Sequence, residues 1–152
     1  EATKNAVLSV SEKRIKVSMR SPLMIPRIAL LDPELTFSMP AKVTASTGMD
    51  ALTQMIEPFI SNKRNPMVDV FCRDGIKRVM RSLFTAFTKR GDPTAREDMC
   101  WASLYGGIAL ANAGLGAVHG FAAPIGGMFD APHGAVCASL LPHVIQPDRP
   151  LI

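Results

Sequence analysis

This sequence of 152 residues has few aromatic residues, no closely spaced pair of cysteines and only a small net charge. Only 6% of the residues are aromatic, and the formal net charge is +4. Proteins that bind nucleic acid rely on stacked aromatic rings or dense basic patches, so we expect no nucleic-acid partner. The three cysteines form no Cys-x-x-Cys pair, which favours a reducing, cytoplasmic compartment over a disulfide framework.

Charged residues are missing altogether from residues 99–129. A run of this length could cross a membrane. Its glycines, its alanines and Pro124 instead favour helices that pack closely inside a protein core, and we expect no membrane partner. The N-terminus has neither an initiator methionine nor the apolar stretch of a secretory signal. The missing methionine predicts that the chain starts inside a longer protein.

The first forty residues have the patterns of β structure. Apolar and polar residues alternate over 6–10 and 15–19 on either side of a polar turn at 11–14, which predicts a β-hairpin. The apolar run between Pro26 and Pro33 predicts a short buried strand that ends at Asp32-Pro33.

The pattern changes to that of helices after Pro40. Apolar residues follow the spacing of one helix face, and these are Met49, Leu52, Ile56, Phe59 and Ile60. Asn65-Pro66 is typical of a helix start, and further helices are predicted from Thr94 towards Leu110 and from Pro132 to near Pro142. The sequence therefore predicts a mainly α fold, with a change of composition near residue 40.

Three polar residues stand out in these apolar surroundings: Asp50, His119 and His133. A carboxylate with two imidazoles is a ligand set for Fe²⁺ or Zn²⁺, and such an ion could polarise a substrate oxygen. Each residue also has a structural interpretation. Asp50 could cap its own helix, and His133 could be a hydrogen-bonded core histidine.

Three segments together identify a family. They are 29–36 (ALLDPELT), 45–57 (ASTGMDALTQMIE), and the stretch from Gly114-Leu-Gly-Ala-Val-His-Gly120 through Ala131-Pro-His-Gly134. With them the chain resembles the iron-containing (group III) alcohol dehydrogenases, which share the dehydroquinate synthase-like fold. The resemblance implies that residues 1–40 end an α/β nucleotide-binding domain. Residues 41–152 would then form the first part of an all-helical metal-binding domain.

The resemblance also implies a ligand set for the metal. The family's four ligands fall on Asp50, Gln54, His119 and His133, and the second of these is a histidine in the family. An amide oxygen at Gln54 binds Fe²⁺ or Zn²⁺ more weakly than an imidazole does. The family often has a further histidine where this chain has Ala123, so no imidazole proton relay is expected there.

For the cofactor, NAD or NADP, the resemblance assigns Val7, Lys16 and Leu35 to the lining of the binding site. The lysine could hydrogen-bond the ribose or offset phosphate charge, although a solvated hairpin lysine is the plain alternative. No residue is assigned a directly catalytic role.

The expected function is hydride transfer between a nicotinamide and a small alcohol or aldehyde, with the metal polarising the substrate oxygen. One alternative is a metal-free reductase similar to the maleylacetate reductases, and another is an inactive truncated piece with a structural role. The last residues, from Gln146 to Ile152, do not resemble the family's continuation. This again predicts an internal piece of a longer protein. We expect that protein to be a homo-oligomer.

Overall fold

The computed structural model describes residues 2–146, so most of the unusual C-terminal tail lies outside the described residues. Two antiparallel strands, β1 (Asn5–Val10) and β2 (Ile15–Arg20), form the predicted hairpin. A 3₁₀ turn at Ser11–Lys13 connects them, and Arg14 completes the turn with a φ of 49°. The register places Ser9 opposite Lys16, so Val7 and Lys16 share one face of the hairpin.

Five helices follow the hairpin, and the predicted mainly α fold is confirmed. They are α1 (Ala41–Ile60), α2 (Pro66–Thr88), α3 (Pro93–Ala113), α4 (Ala117–Met128) and α5 (His133–Val144). The start of α2 is as predicted, because Asn65 Oδ1 accepts a hydrogen bond from the Val68 N–H at 3.1 Å. Asp92 caps α3 in the same way, and this helix begins at Pro93, one residue before the predicted start at Thr94.

The strand predicted between Pro26 and Pro33 is wrong. This segment is an extended loop, and Ile28 and Leu30 are 86% and 89% exposed. An apolar run becomes a strand only where a neighbouring strand pairs with its backbone. Within residues 2–146 the two hairpin strands pair only with each other, so this run has no partner there.

Helix α1 lies between two hydrophobic cores. The first core joins it to α2 and α3, and its buried residues include Met55, Cys72, Val79 and Ala102. The second joins α4 and α5 through Val118, Ala122, Cys137 and Leu141. Ile56 of α1 packs against both cores, so one face of α1 is directed towards the pair α4 and α5.

The uncharged stretch 99–129 is divided between α3 and α4. Over residues 2–146, no individual helix is both long and apolar enough to cross a membrane. Taken together, α3 and α4 reach the required length and hydropathy, but the two are bent by 106° where they meet.

Candidate metal centre

Helix α1 supplies three polar side chains to its face towards α4 and α5. Asp50, Gln54 and Glu57 follow one another at helical spacing, so they lie along one side of the helix. Glu57 is only 2% exposed, which requires its carboxylate to be fully hydrogen-bonded.

Glu57 meets that requirement at the start of α4. Its Oε1 accepts a hydrogen bond from the Val118 N–H at 2.7 Å, one of the unpaired donors of the first helical turn. Its Oε2 lies 2.5 Å from Nδ1 of His119, which donates to it. Gly116, just before α4, allows this approach, because a Cβ there would lie 2.9 Å from Glu57 Oε1. One carboxylate thereby both caps α4 and fixes the ring of His119.

With Nδ1 engaged by Glu57, the other ring nitrogen of His119 faces Asp50. His119 Nε2 lies 3.1 Å from Asp50 Oδ1, and His133 Nε2 lies 3.5 Å from the same oxygen. His133 is the first residue of α5, and its ring centroid is 5.3 Å from that of His119. The three residues that the sequence analysis singled out are thus brought together from three helices.

A fourth donor, Cys137, completes the cluster. It lies one turn after His133 on α5, and its Sγ is 3.7 Å from His133 Nε2 and 4.0 Å from His119 Nε2. One ligand atom from each of Asp50, His119, His133 and Cys137 lies within 4.8 Å of the others. Sequence reasoning missed Cys137, although its spacing of four residues from His133 places both on one helix face.

Gln54 contacts Asp50 on one side and α3 on the other. Its Nε2 donates a hydrogen bond to Asp50 Oδ2 at 3.1 Å. Its Oε1 packs against α3, where a Cβ at Gly106 would lie 3.2 Å away. The amide therefore holds the oxygen of Asp50 that faces away from the histidines, and Asp50 Oδ1 remains directed at them.

The electrostatics of the cluster suit a cation. Burial alone would lower the pKa of His119, but hydrogen bonds with Asp50, Cys137 and Glu57 raise it to about 11. Carboxylate, imidazole and thiol groups in this arrangement match the donor chemistry of Zn²⁺ or Fe²⁺, and Glu57 supplies the outer hydrogen bond that metal-binding histidines usually make.

Of the three residues assigned to the nucleotide, Lys16 lies nearest the cluster. A cavity of about 730 Å³ lies between the hairpin and the loop before α5, and both Lys16 and His133 line it. Val7 is on the same hairpin face but 60% exposed. Leu35 lies in a separate 3₁₀ turn, Pro33–Thr36, which packs against α3, and is 80% exposed. The structure therefore brings Lys16, but not Val7 or Leu35, to the cavity that adjoins the cluster.

Comparison with known proteins gives matches over most of the chain. Residues 44–150 match the model of the Fe-containing alcohol dehydrogenase family, C-terminal part. The chain is 42% identical over 146 residues to 1,3-propanediol dehydrogenase of Klebsiella pneumoniae, covering 96% of this chain and 38% of that protein. It is 41% identical over 144 residues to alcohol dehydrogenase 4 of Saccharomyces cerevisiae, covering 95% and 38%.

A crystal structure of a 1,3-propanediol oxidoreductase matches the fold with a TM-score of 0.88 and 42% identity, covering 93% of this chain and 37% of that one. The chain thus spans less than two fifths of the length of these relatives.

Proposed function

This chain belongs to the iron-containing alcohol dehydrogenase family, and on that basis we propose that the whole protein is an NAD(P)-dependent alcohol dehydrogenase or aldehyde reductase. The observation that carries the proposal is the convergence of Asp50, His119 and His133 beside the cavity that Lys16 lines. A small primary alcohol or the matching aldehyde is the proposed substrate, and hydride passes between its carbon and the nicotinamide ring.

In this proposal Asp50, His119 and His133 hold the metal, Fe²⁺ or Zn²⁺. When bound, the ion supplies Lewis acidity that polarises the substrate oxygen. Glu57 keeps the proton of His119 on Nδ1, so that Nε2 presents its lone pair to the cluster. Gln54 holds Oδ2 of Asp50 and leaves Oδ1 for the ion.

Lys16 and the loop before α5 would form the nucleotide-facing wall. The ammonium group of Lys16 lies in the same cavity as Arg14 and His133, so a ribose hydroxyl or phosphate there would meet positive charge. Oxidation of an alcohol also releases its hydroxyl proton. Because position 123 is an alanine, we expect that proton to leave through water rather than through an imidazole at that position.

Two alternatives from the sequence are less well supported. A metal-free reductase has no need for four donor groups converging within 4.8 Å. A purely structural role does not explain why the buried carboxylate of Glu57 hydrogen-bonds and orients the ring of His119. We also propose a cytoplasmic homo-oligomer, in which exposed apolar residues such as Leu23, Ile28 and Leu30 would be covered by the rest of the protein or by a second copy.

The test is the activity of the whole protein loaded with Fe²⁺ or Zn²⁺. We expect a change in nicotinamide absorbance with at least one small alcohol or aldehyde and one of NAD⁺, NADP⁺, NADH or NADPH. Asp50→Ala should abolish it, whereas Asp74→Ala, which removes a half-exposed carboxylate on α2, should leave it intact. No absorbance change across the panel with either metal would refute the proposal.

A further inference from the structure

Cys137 belongs to the second hydrophobic core, but its sulfur faces the polar cluster. Its side chain is completely buried, and its sulfur is close to two imidazole nitrogens rather than being surrounded by carbon atoms alone. The neighbouring nitrogens are Nε2 of His119 and Nε2 of His133, the same atoms that face Asp50. The thiol therefore points at the centre of the cluster.

Four separations in the cluster lie within about 0.5 Å of those expected around a single four-coordinate ion. Bonds of about 2.0–2.1 Å to imidazole and about 2.3 Å to thiolate place the donor atoms of a tetrahedral zinc ion about 3.3–3.6 Å apart. The distances from Asp50 Oδ1 to the two histidines are 3.1 and 3.5 Å, and those from Cys137 Sγ are 4.0 and 3.7 Å. Small side-chain rotations would bring all four to an ion between them.

We propose that Cys137 is the fourth protein ligand of the metal, in the place of the histidine that the family has where this chain has Gln54. This inference rests on the metal-dependent function proposed above. Gln54 cannot easily serve, because its Nε2 is bound to Asp50 Oδ2 and its Oε1 packs against Gly106 of α3. The ligand set becomes one carboxylate, two imidazoles and one thiolate.

This ligand set has a chemical consequence for the choice of metal. Thiolate is a soft ligand that suits Zn²⁺ in four-coordinate sites, whereas carboxylate and imidazole alone suit Fe²⁺ equally well. Binding breaks the S–H bond, forms a metal–sulfur bond and releases the proton to solvent. We therefore expect this chain to select Zn²⁺ over Fe²⁺.

The experiment titrates the whole protein that contains this chain with Co²⁺, a spectroscopic substitute for Zn²⁺. A thiolate ligand gives a sulfur-to-cobalt charge-transfer band in the near ultraviolet, and oxygen and nitrogen ligands do not. We expect this band in the unaltered chain, and we expect added Zn²⁺ to displace it. The unaltered chain is a test by itself, so the result does not depend on any variant folding.

Three variants then test whether the charge-transfer band comes from the sulfur of Cys137. Cys137→Ser should abolish it and weaken Zn²⁺ binding at least about tenfold, while circular dichroism shows the helices intact. Cys100→Ser, on α3, is the matched control and should keep both the band and the affinity. Gln54→Ala should also keep the band, because Gln54 holds Asp50 and is not a ligand.

The outcomes separate this inference from the proposed function. Cobalt bound with visible d–d bands but no charge-transfer band would overturn the role of Cys137 and leave the site of Asp50, His119 and His133 standing. A band that survives in Cys137→Ser would overturn it as well. If no ion binds at all, both the inference and the metal dependence of the proposed function are refuted.

Discussion

Glu57 and His119 are joined by a hydrogen bond of 2.5 Å between Oε2 and Nδ1, although they lie 62 residues apart in the sequence. The bond fixes which nitrogen of His119 faces Asp50. It also leaves a fully buried carboxylate with partners on both oxygens, since Oε1 accepts from the Val118 N–H. The position of the metal-facing imidazole is therefore set by a residue that does not itself face the cluster.

Glu57→Gln should weaken metal binding without removing a ligand. The amide keeps the shape of the side chain but loses the negative charge. That charge makes Nε2 of His119 a stronger ligand for the metal, so we expect Zn²⁺ affinity to fall about 10- to 100-fold. A competition titration against a chromophoric chelator measures this. Glu97→Gln, in an exposed position on α3, is the matched control and should change nothing. Equal affinities for the two variants would show that Glu57 has no influence on the ion.

Part of this site could be predicted from sequence and part could not. Asp50, His119 and His133 stand out in the sequence as polar residues in apolar surroundings, and the family resemblance implies that they are ligands. The structure brings their donor atoms together. Glu57 was in one of those motifs but received no role, because nothing in the sequence shows which residue of α4 it faces. Cys137 did leave a signal, since it lies one helical turn after His133.

The fold divides in a similar way. Helices with caps such as Asn65-Pro66 depend on local chemistry, so they could be predicted almost to the residue. The apolar run 26–33 could not be, because its state depends on whether another strand lies beside it. A pattern of apolar residues shows that a segment could be buried in a strand. Whether a strand forms depends on another segment lying beside it and pairing with its backbone.

Lys16→Met should affect the cofactor rather than the chemistry in the whole protein. Methionine keeps most of the length of the side chain but loses the charge that would contact ribose or phosphate in the cavity. The loss of one charge-assisted hydrogen bond, about 1.5 kcal/mol, should raise KM for the nicotinamide cofactor about tenfold with little change in kcat. Lys13→Met, at the exposed hairpin turn, is the control. Indistinguishable KM values for the two variants would count against the assignment of Lys16.

Asp98 should make the stability of the chain depend on pH in acid. Its carboxylate is buried on α3 and pairs with Arg78 at 2.8 Å and Arg81 at 2.7 Å from α2, and it also accepts a hydrogen bond from Ser82. Burial alone raises the pKa of Asp98, but these hydrogen bonds and charges bring it below its usual 3.8. The native state therefore binds the proton less readily than the unfolded chain does.

The sign of the effect follows from linkage. The stabilisation by Asp98 is complete above the unfolded pKa of 3.8 and is lost as the pH falls through the lower folded pKa. Asp98→Asn should thus be less stable at neutral pH, by about 2 kcal/mol, and should lose less additional stability below pH 4. Asp74→Asn, whose carboxylate is half-exposed, should behave like the unaltered chain. Urea unfolding at several pH values measures all three, and parallel curves for Asp98→Asn and the unaltered chain would contradict this.

Gly134→Ala should disturb the metal centre through backbone packing. Gly134 lies where α5 packs against α1, and an added Cβ would overlap the carbonyl oxygen of Ser46. Because the obstacle is backbone, α5 must move, and His133 and Cys137 would move with it. We expect a loss of about 1–3 kcal/mol in urea unfolding and a parallel loss of Zn²⁺ affinity. Gly120→Ala is the matched control, since nothing lies within 4 Å of its Cβ position on α4, and alanine there should stabilise the helix by up to about 1 kcal/mol. If Gly134→Ala were as stable as Gly120→Ala, the close contact between α1 and α5 would not exist in solution, and the convergence of the four donors would lose its structural basis.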